Sequence, residues 1–279
     1  MKQFLCVLLS LLLIPAALAG AEAPEADETQ MTVDEVPADG AQWLFPVALE
    51  DLNPEYLILA NKYYLLEKGY VCKPLQTVKA AKFNKDGSRK SGNILMASGG
   101  KMQLNETCAE ALTALSDAAR EDGYKLYLKS AYRSWQTQNT MYRNRLKKNK
   151  GKDDGWVSQA GASDHQTGLG CDVIPKSWIK ASGMNSKMAA EPECIWMAQH
   201  CAEYGFIIRY PEDKEDITEI HYEPWHLRYV GVAAAQYIMQ NGLCLEEFTQ
   251  QLQEAINSYL ESGGDPVAVK ALIQKPTEE

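Results

Sequence analysis

Residues 163–172 read Ser163-Asp164-His165-Gln166-Thr167-Gly168-Leu169-Gly170-Cys171-Asp172. A histidine and a carboxylate stand seven positions apart, with two glycines between them. Glycine permits the tight turn that would bring a loop histidine beside a strand aspartate. A second polar block, Glu223-Pro224-Trp225-His226, lies downstream. Only four histidines occur in 279 residues, and two of them sit in these blocks. Two imidazoles and one carboxylate make a three-ligand zinc set with a fourth position left for water, so His165, Asp172 and His226 are the candidate metal ligands. Glu223 is the candidate base that takes a proton from water and passes it on to a leaving amine. In a regular strand Glu223 and His226 would point to opposite faces, so this reading requires a bend, and Pro224 is the place for it. The motif HExxH is absent, which excludes a helix-borne zinc site of that kind.

Outward from these blocks the pattern is mixed. Asn105 to Asp122 has Ala109, Leu112, Leu115 and Ala119 at helical spacing and is stopped by Gly123. Lys125–Ser130 alternates as a strand does, and Ser134 is placed to cap a helix running to about Asn149. Lys150–Gly161 reads as a polar loop, Gly170–Ile174 as a strand, and Pro192–Tyr204 as a helix opened by proline and closed by Gly205. Strands are expected at Phe206–Tyr210 and around Glu219–Trp225, and a helix at Val230–Asn241. With no regular alternation of strand and helix, the expected class is α+β: a single compact domain whose small, mostly antiparallel sheet is flanked by helices.

Three of these segments carry a family resemblance: Ser130-Ala131-Tyr132-Arg133-Ser134, Ser163–Asp172 and Glu223–Gly231. In this order they resemble the signature blocks of VanY-type D-alanyl-D-alanine carboxypeptidases, the M15B zinc peptidases, a group that includes L,D-carboxypeptidases of the cell wall. With Asn61-Lys62-Tyr63-Tyr64 and Gly205–Pro211, the likeness extends over most of residues 55–240. It implies one zinc ion per chain held by His165, Asp172 and His226, with Glu223 as catalytic base. It also implies that Arg133 and Gln138 hold the substrate's terminal D-residue, and that Ser163, Tyr210 and Trp225 line the pocket. Gly170 stands where the family commonly has alanine, and Cys171 where an apolar or aromatic residue is usual. Arg133 has an independent rationale, because a planar, permanently charged fork suits a free chain-end carboxylate. A structural pairing of Arg133 with a local acid is the plainer alternative.

The implied activity is zinc-dependent removal of the C-terminal D-alanine from peptidoglycan stem peptides. Two alternatives stand beside it: an L,D-carboxypeptidase or wall endopeptidase on the same scaffold, and a zinc-stabilised wall-binding module without catalysis. The retained Glu223 speaks against the last, since binding alone needs no base.

Charge and composition fit that expectation. The net charge is −9, with 23% charged and 46% hydrophobic residues, as suits a folded protein. There is no basic excess to neutralise phosphates, so nucleic acid is not an expected partner. Seven acidic side chains and no basic one fall within residues 20–41, which read as an acidic flexible linker. Before it, Lys2, the apolar run Phe4–Ile14 broken only by Ser10, Pro15, and Ala17-Leu18-Ala19 read as a secretory signal over residues 1–19. That run is too short for a comfortable membrane span, although an uncleaved anchor is the alternative. The expected location is therefore extracytoplasmic, at the cell envelope, with no stable span after signal removal. The peptidase domain is expected over 42–261 and a C-terminal tail over 262–279. Six cysteines remain beyond the signal, and disulfides and buried free thiols both fit that number. The basic cluster Arg143, Arg145, Lys147, Lys148, Lys150 and Lys152 reads as a solvated helix end, with wall-polymer contact as the alternative. Trp156 and Trp178 fit either a substrate cleft or the core.

Overall fold

The computed structural model describes residues 40–277. The secretory signal and nearly all of the acidic linker therefore lie outside the described residues. In chain order the elements are α1 (Pro54–Leu57), β1 (Leu75–Val78), β2 (Lys82–Phe83), β3 (Arg89–Ser91), β4 (Leu95–Met96), β5 (Met102–Asn105), α2 (Glu106–Glu121), β6 (Leu126–Ser130), α3 (Trp135–Lys148), β7 (Gly170–Pro175), α4 (Pro192–His200), β8 (Phe206–Ile208), α5 (Glu215–Thr218), β9 (His226–Tyr229), α6 (Val232–Gln240), α7 (Leu245–Glu261) and α8 (Pro266–Val269). The central sheet has the order β4-β6-β7-β9-β8. Only its β4–β6 pair is parallel. β1 with β5 and β2 with β3 form two small antiparallel pairs at its side. This is the α+β arrangement that the mixed pattern predicts.

α2 forms where its apolar residues recur at helical spacing. Asn105 caps it by accepting from the Cys108 amide at 3.2 Å, and Cys108, Ala109, Leu112, Leu115 and Ala119 form its buried stripe. That stripe packs with Leu126, Leu128, Val173 and Leu227 of the sheet and with Trp196 and Met197 of α4 in one core. β7 is buried along its whole length, as a central strand covered on both faces must be. A second core joins α6 and α7 to the start of the described chain through Phe45, Val47, Leu57, Ala234, Ile238, Phe248, Leu252 and Ile256.

Two segments differ from the sequence expectation. Residues 219–225 are not a strand: α5 ends at Thr218, Glu219 takes a left-handed conformation at φ +58°, and the sheet is entered only at His226. Ile220 and Trp225 line the cleft described below instead of pairing. α7 is a 17-residue helix that the sequence reading leaves without an assignment. Residues 262–277 contain the short helix α8 and bury Val269 and Leu272. Gln274 there binds the backbone of Leu57 and Leu59 at 2.9 and 2.7 Å.

The six cysteines beyond the signal are all buried free thiols among the described residues. No helix among those residues is long and apolar enough to cross a membrane.

Candidate active site

The 163–172 block folds as its glycines require. A 3-10 turn spans Asp164–Gln166, Gly168 then takes φ +80°, and β7 begins at Gly170. A side chain at Gly168 would be strained by that φ and would meet the Leu75 side chain at 2.7 Å. Gly170 also faces a close neighbour, since a Cβ there would lie 2.8 Å from the Cβ of Asp164. The turn carries His165 back over β7. Asp172, two residues into the strand, pairs in register with Ser130 of β6 and His226 of β9.

The bend demanded between Glu223 and His226 is present. The His226 amide donates to the Glu223 carbonyl at 3.0 Å, closing a turn over Pro224 and Trp225. The Glu223 amide donates to the Tyr210 carbonyl at 3.1 Å, which anchors this turn to the end of β8. Glu223 and His226 thereby share a face, with Oε2 3.3 Å from Nδ1.

His165, Asp172 and His226 are buried and each offers one ligand atom, all within 4.8 Å of one another. His165 Nε2 lies 3.4 Å from Asp172 Oδ2, and His226 Nδ1 lies 3.3 Å from Asp172 Oδ1. For bonds of roughly 2.0–2.1 Å, tetrahedral ligands stand about 3.3–3.4 Å apart, so these edges have the size of a zinc site. Hydrogen bonding points the same way. His165 Nδ1 sits 2.7 Å from the Ala131 carbonyl, an acceptor, so Nδ1 carries the proton and Nε2 is left with a lone pair. An unprotonated nitrogen thus faces a carboxylate oxygen, an arrangement of two acceptors that a cation completes. Asp172 Oδ1 and His226 Nε2 are buried without a hydrogen-bond partner among the described residues.

The protonation states follow from the surroundings. Burial, with the Arg133 charge, pushes His165 down to about 4, so it is neutral at pH 7. Burial opposes charge on Asp172, but the two histidines outweigh it and hold the carboxyl below the usual range. Burial also opposes charge on His226, yet Asp172 and Glu223 overcome it and raise the imidazole to about 9. Burial raises the Glu223 carboxyl above an ordinary glutamate.

These side chains open on a cleft of about 460 Å³. Arg133, Gln138, Ser163, His165, Asp172, Tyr210, Glu223, Trp225 and His226, the nine residues singled out from sequence, all line it. Arg133 is fixed at both ends: its amide donates to the His165 carbonyl at 3.0 Å, and Nη1 donates to Gln138 Oε1 at 2.8 Å. Gln138 in turn donates to the Ser158 carbonyl. The Tyr210 ring stands 5.0 Å from that of His226. Met141, Val157, Ser158 and Met184 also line the cleft and were not identified from sequence, where single apolar or small side chains carry no signal of chemistry. Past Ser158, Tyr210 and Ile220 a second cavity of about 450 Å³ shares its wall.

The two tryptophans, the basic cluster and the remaining two histidines, His200 and His221, lie elsewhere or play supporting parts. Trp156 lines the cleft and packs on His221 at 4.7 Å. Trp178 instead donates to Glu191 at 2.9 Å, and His200 stacks on Trp196 at 4.5 Å. His221 is paired with Glu215 at 3.0 Å. In the basic cluster, Arg145 forms a bidentate pair with Asp154 that fixes the loop after α3.

Comparison with known proteins agrees with this geometry. The family model of the VanY D-alanyl-D-alanine carboxypeptidase matches residues 101–232. The chain is 35% identical to YodJ of Bacillus subtilis (strain 168) over 72% of its own length and 70% of the relative. It is 37% identical to a D-alanyl-D-alanine carboxypeptidase of Enterococcus faecalis (strain ATCC 700802 / V583), over 49% of this chain and 52% of that protein. Among solved structures, the LdcB LD-carboxypeptidase matches with a TM-score of 0.58 at 35% identity, covering 71% of this chain and 87% of LdcB. A VanB-type VanY D,D-pentapeptidase solved with Zn(II) matches with a TM-score of 0.51 at 28% identity, covering 70% of this chain and 98% of the other.

Proposed function

The chain belongs to the VanY family of carboxypeptidases, and from that premise we propose that it is an exported zinc enzyme that removes the C-terminal D-alanine from peptidoglycan stem peptides. The observation that carries the reading is the pair of facing acceptors, His165 Nε2 and Asp172 Oδ2, beside His226 and a raised Glu223. His165, Asp172 and His226 would hold one zinc ion. Zinc in such a set lowers the pKa of water and polarises a carbonyl.

Arg133, steadied by Gln138, receives the free carboxylate of the substrate in a charge-assisted pair and so restricts cleavage to the last residue. Glu223 accepts the proton of the attacking water. The burial that raises its pKa makes the protonated form accessible, so it then delivers that proton to the departing amine nitrogen. Ser163, Tyr210 and Trp225 shape the wall against which the terminal residue lies. Residues 1–19 would direct the enzyme out of the cytoplasm, where its polymer substrate is.

A second reading is favoured by one comparison. LdcB, an LD-carboxypeptidase, matches at higher identity and TM-score than the VanB-type D,D-pentapeptidase does. Incubating the zinc-loaded protein with defined tetrapeptide and pentapeptide muropeptides and weighing the products separates the two. Loss of D-alanine from the pentapeptide alone supports the first reading, and loss from the tetrapeptide alone supports the second. Cleavage of neither, with zinc bound, overturns both.

A further inference from the structure

Four charged side chains behind the cleft take no part in the steps above. Asp164, Arg209 and Arg228 are fully buried, and the Glu246 side chain is 11% exposed. Arg209 donates from Nε to Asp164 Oδ2 at 2.7 Å and grips Glu246 with both terminal nitrogens at 2.8 and 2.7 Å. Arg228 donates from Nη1 to Asp164 Oδ1, from Nε to the Tyr229 carbonyl at 3.1 Å, and from Nη2 to the carbonyls of Tyr56 and Ile58 at 2.9 and 2.7 Å. Two cations face two anions, and every guanidinium nitrogen has a partner. Only a cluster satisfied to this degree offsets the cost of burying four charges.

Three members of the cluster also touch a segment that bears a site histidine, and Glu246 reaches those segments through Arg209. Asp164 precedes His165 directly. Arg228 is two residues past His226, on the same face of β9. The Arg209 amide donates to the His226 carbonyl at 3.0 Å. Asp164 alone bridges the two arginines, so its carboxylate ties the turn holding His165 to the strand holding His226. Glu246 stands in the first turn of α7, beyond residues 101–232 that match the family model.

We propose that Asp164, Arg209, Arg228 and Glu246 are positioning residues that set the spacing of His165 and His226, and so place metal affinity under the control of helix α7. This rests on the reading of His165, Asp172 and His226 as zinc ligands. Groups behind metal ligands orient them, and losing one weakens affinity even though nothing that touches the ion has changed.

The test uses zinc itself on the purified full chain, with affinity read by competition against a chromogenic chelator and thermal unfolding followed without metal. Glu246→Gln keeps size and removes one charge from the cluster. It should weaken zinc about 10- to 100-fold. Leu252→Ala, in the buried stripe of the same helix, should lower Tm and leave zinc affinity unchanged. Asp164→Asn should weaken zinc at least as much as Glu246→Gln, and if it fails to fold the Glu246 variant still decides. Wild-type affinity in Glu246→Gln overturns the proposal, as does an equal loss in Leu252→Ala. If the unaltered chain binds no zinc, or His165→Ala binds it as well as the unaltered chain, the ligand assignment itself has failed, an outcome distinct from zinc lost in His165→Ala but kept in Glu246→Gln.

Discussion

Asp172 of β7 stands directly opposite His226 of β9 in the antiparallel register, with Oδ1 3.3 Å from Nδ1. Register therefore brings together two of the three candidate ligand atoms, because a slip of one residue would send Asp172 to the other face of the sheet. Asp172→Asn keeps the shape and removes the charge. It should weaken zinc by at least about 100-fold, more than the loss typical of a group behind the ligands. Chelator competition reads this directly, and an unchanged affinity would remove Asp172 from the ligand set.

Glu223 is held by its own amide to Tyr210 and by the turn to His226, not by zinc. Glu223→Gln should therefore retain zinc and lose turnover by about 10²- to 10⁴-fold, the scale of a missing general acid and base. Zinc content by mass spectrometry and release of D-alanine measure the two halves separately. Undiminished turnover would assign the proton transfer to another group.

On the proposed reading, Arg133 makes cleavage depend on a free carboxylate. A charge-assisted hydrogen bond contributes about 1.5–3 kcal/mol, so Arg133→Ala should lower kcat/KM roughly 10- to 150-fold on peptides ending in a carboxylate. On the same peptides carrying a C-terminal amide, the variant and the unaltered enzyme should be equally slow. A variant that still prefers the free acid would show that the carboxylate is read elsewhere.

Much of this was legible from local chemistry. Ser134 accepts from the Thr137 amide at 3.3 Å and starts α3 where a capping residue should. β7 begins at Gly170, directly after the glycine turn. Elsewhere the local signal pointed the wrong way or was silent. Ile220 and Tyr222 alternate with polar neighbours as strand residues do, but both are only half-buried and Ile220 lines the cleft wall without pairing. β3 carries only polar side chains, and the two-residue strands β2 and β4 are too short to hold a periodicity to read. Arg209 and Arg228 look like ordinary surface charges in sequence. Only the tertiary fold, which sets Asp164 between them and Glu246 of α7 against Arg209, makes them the charged interior of the domain.

The need for glycine at position 170 has a physical reason visible here. Asp164 occupies the space of the missing methyl, with its Cβ 2.8 Å and its carbonyl carbon 2.9 Å from where a Cβ would stand. Neither atom is the free end of a flexible chain, because Asp164 is clamped by two arginines. Gly170→Ala should cost about 1–3 kcal/mol, the range for overpacking a filled core. Denaturant unfolding of the metal-free protein measures it. A neutral effect would mean that the 163–170 turn yields more readily than its hydrogen bonds suggest.

The last prediction concerns pH. In the metal-free protein His226 is raised to about 9, against about 6.5 for an unperturbed histidine. A raised value means that the folded state binds the proton more tightly than the unfolded chain. Its stabilising contribution is complete below about pH 6.5 and is lost as pH climbs through about 9. A metal ligand must be neutral, so zinc has to displace that proton. His165, pushed down to about 4, is already neutral and gives up none. Calorimetry at pH 6 in buffers of differing ionisation enthalpy should then show about one proton released per zinc bound. Apparent zinc affinity should climb about tenfold per pH unit from pH 6 to 8 and level off near pH 9. Thermal unfolding without metal should show stability falling from pH 6.5 to 9, a loss that bound zinc removes because His226 then carries no proton to lose. Zinc affinity that does not change with pH over that range would mean that Asp172 and Glu223 do not hold His226 protonated, and the electrostatic account of the cleft would fall with it.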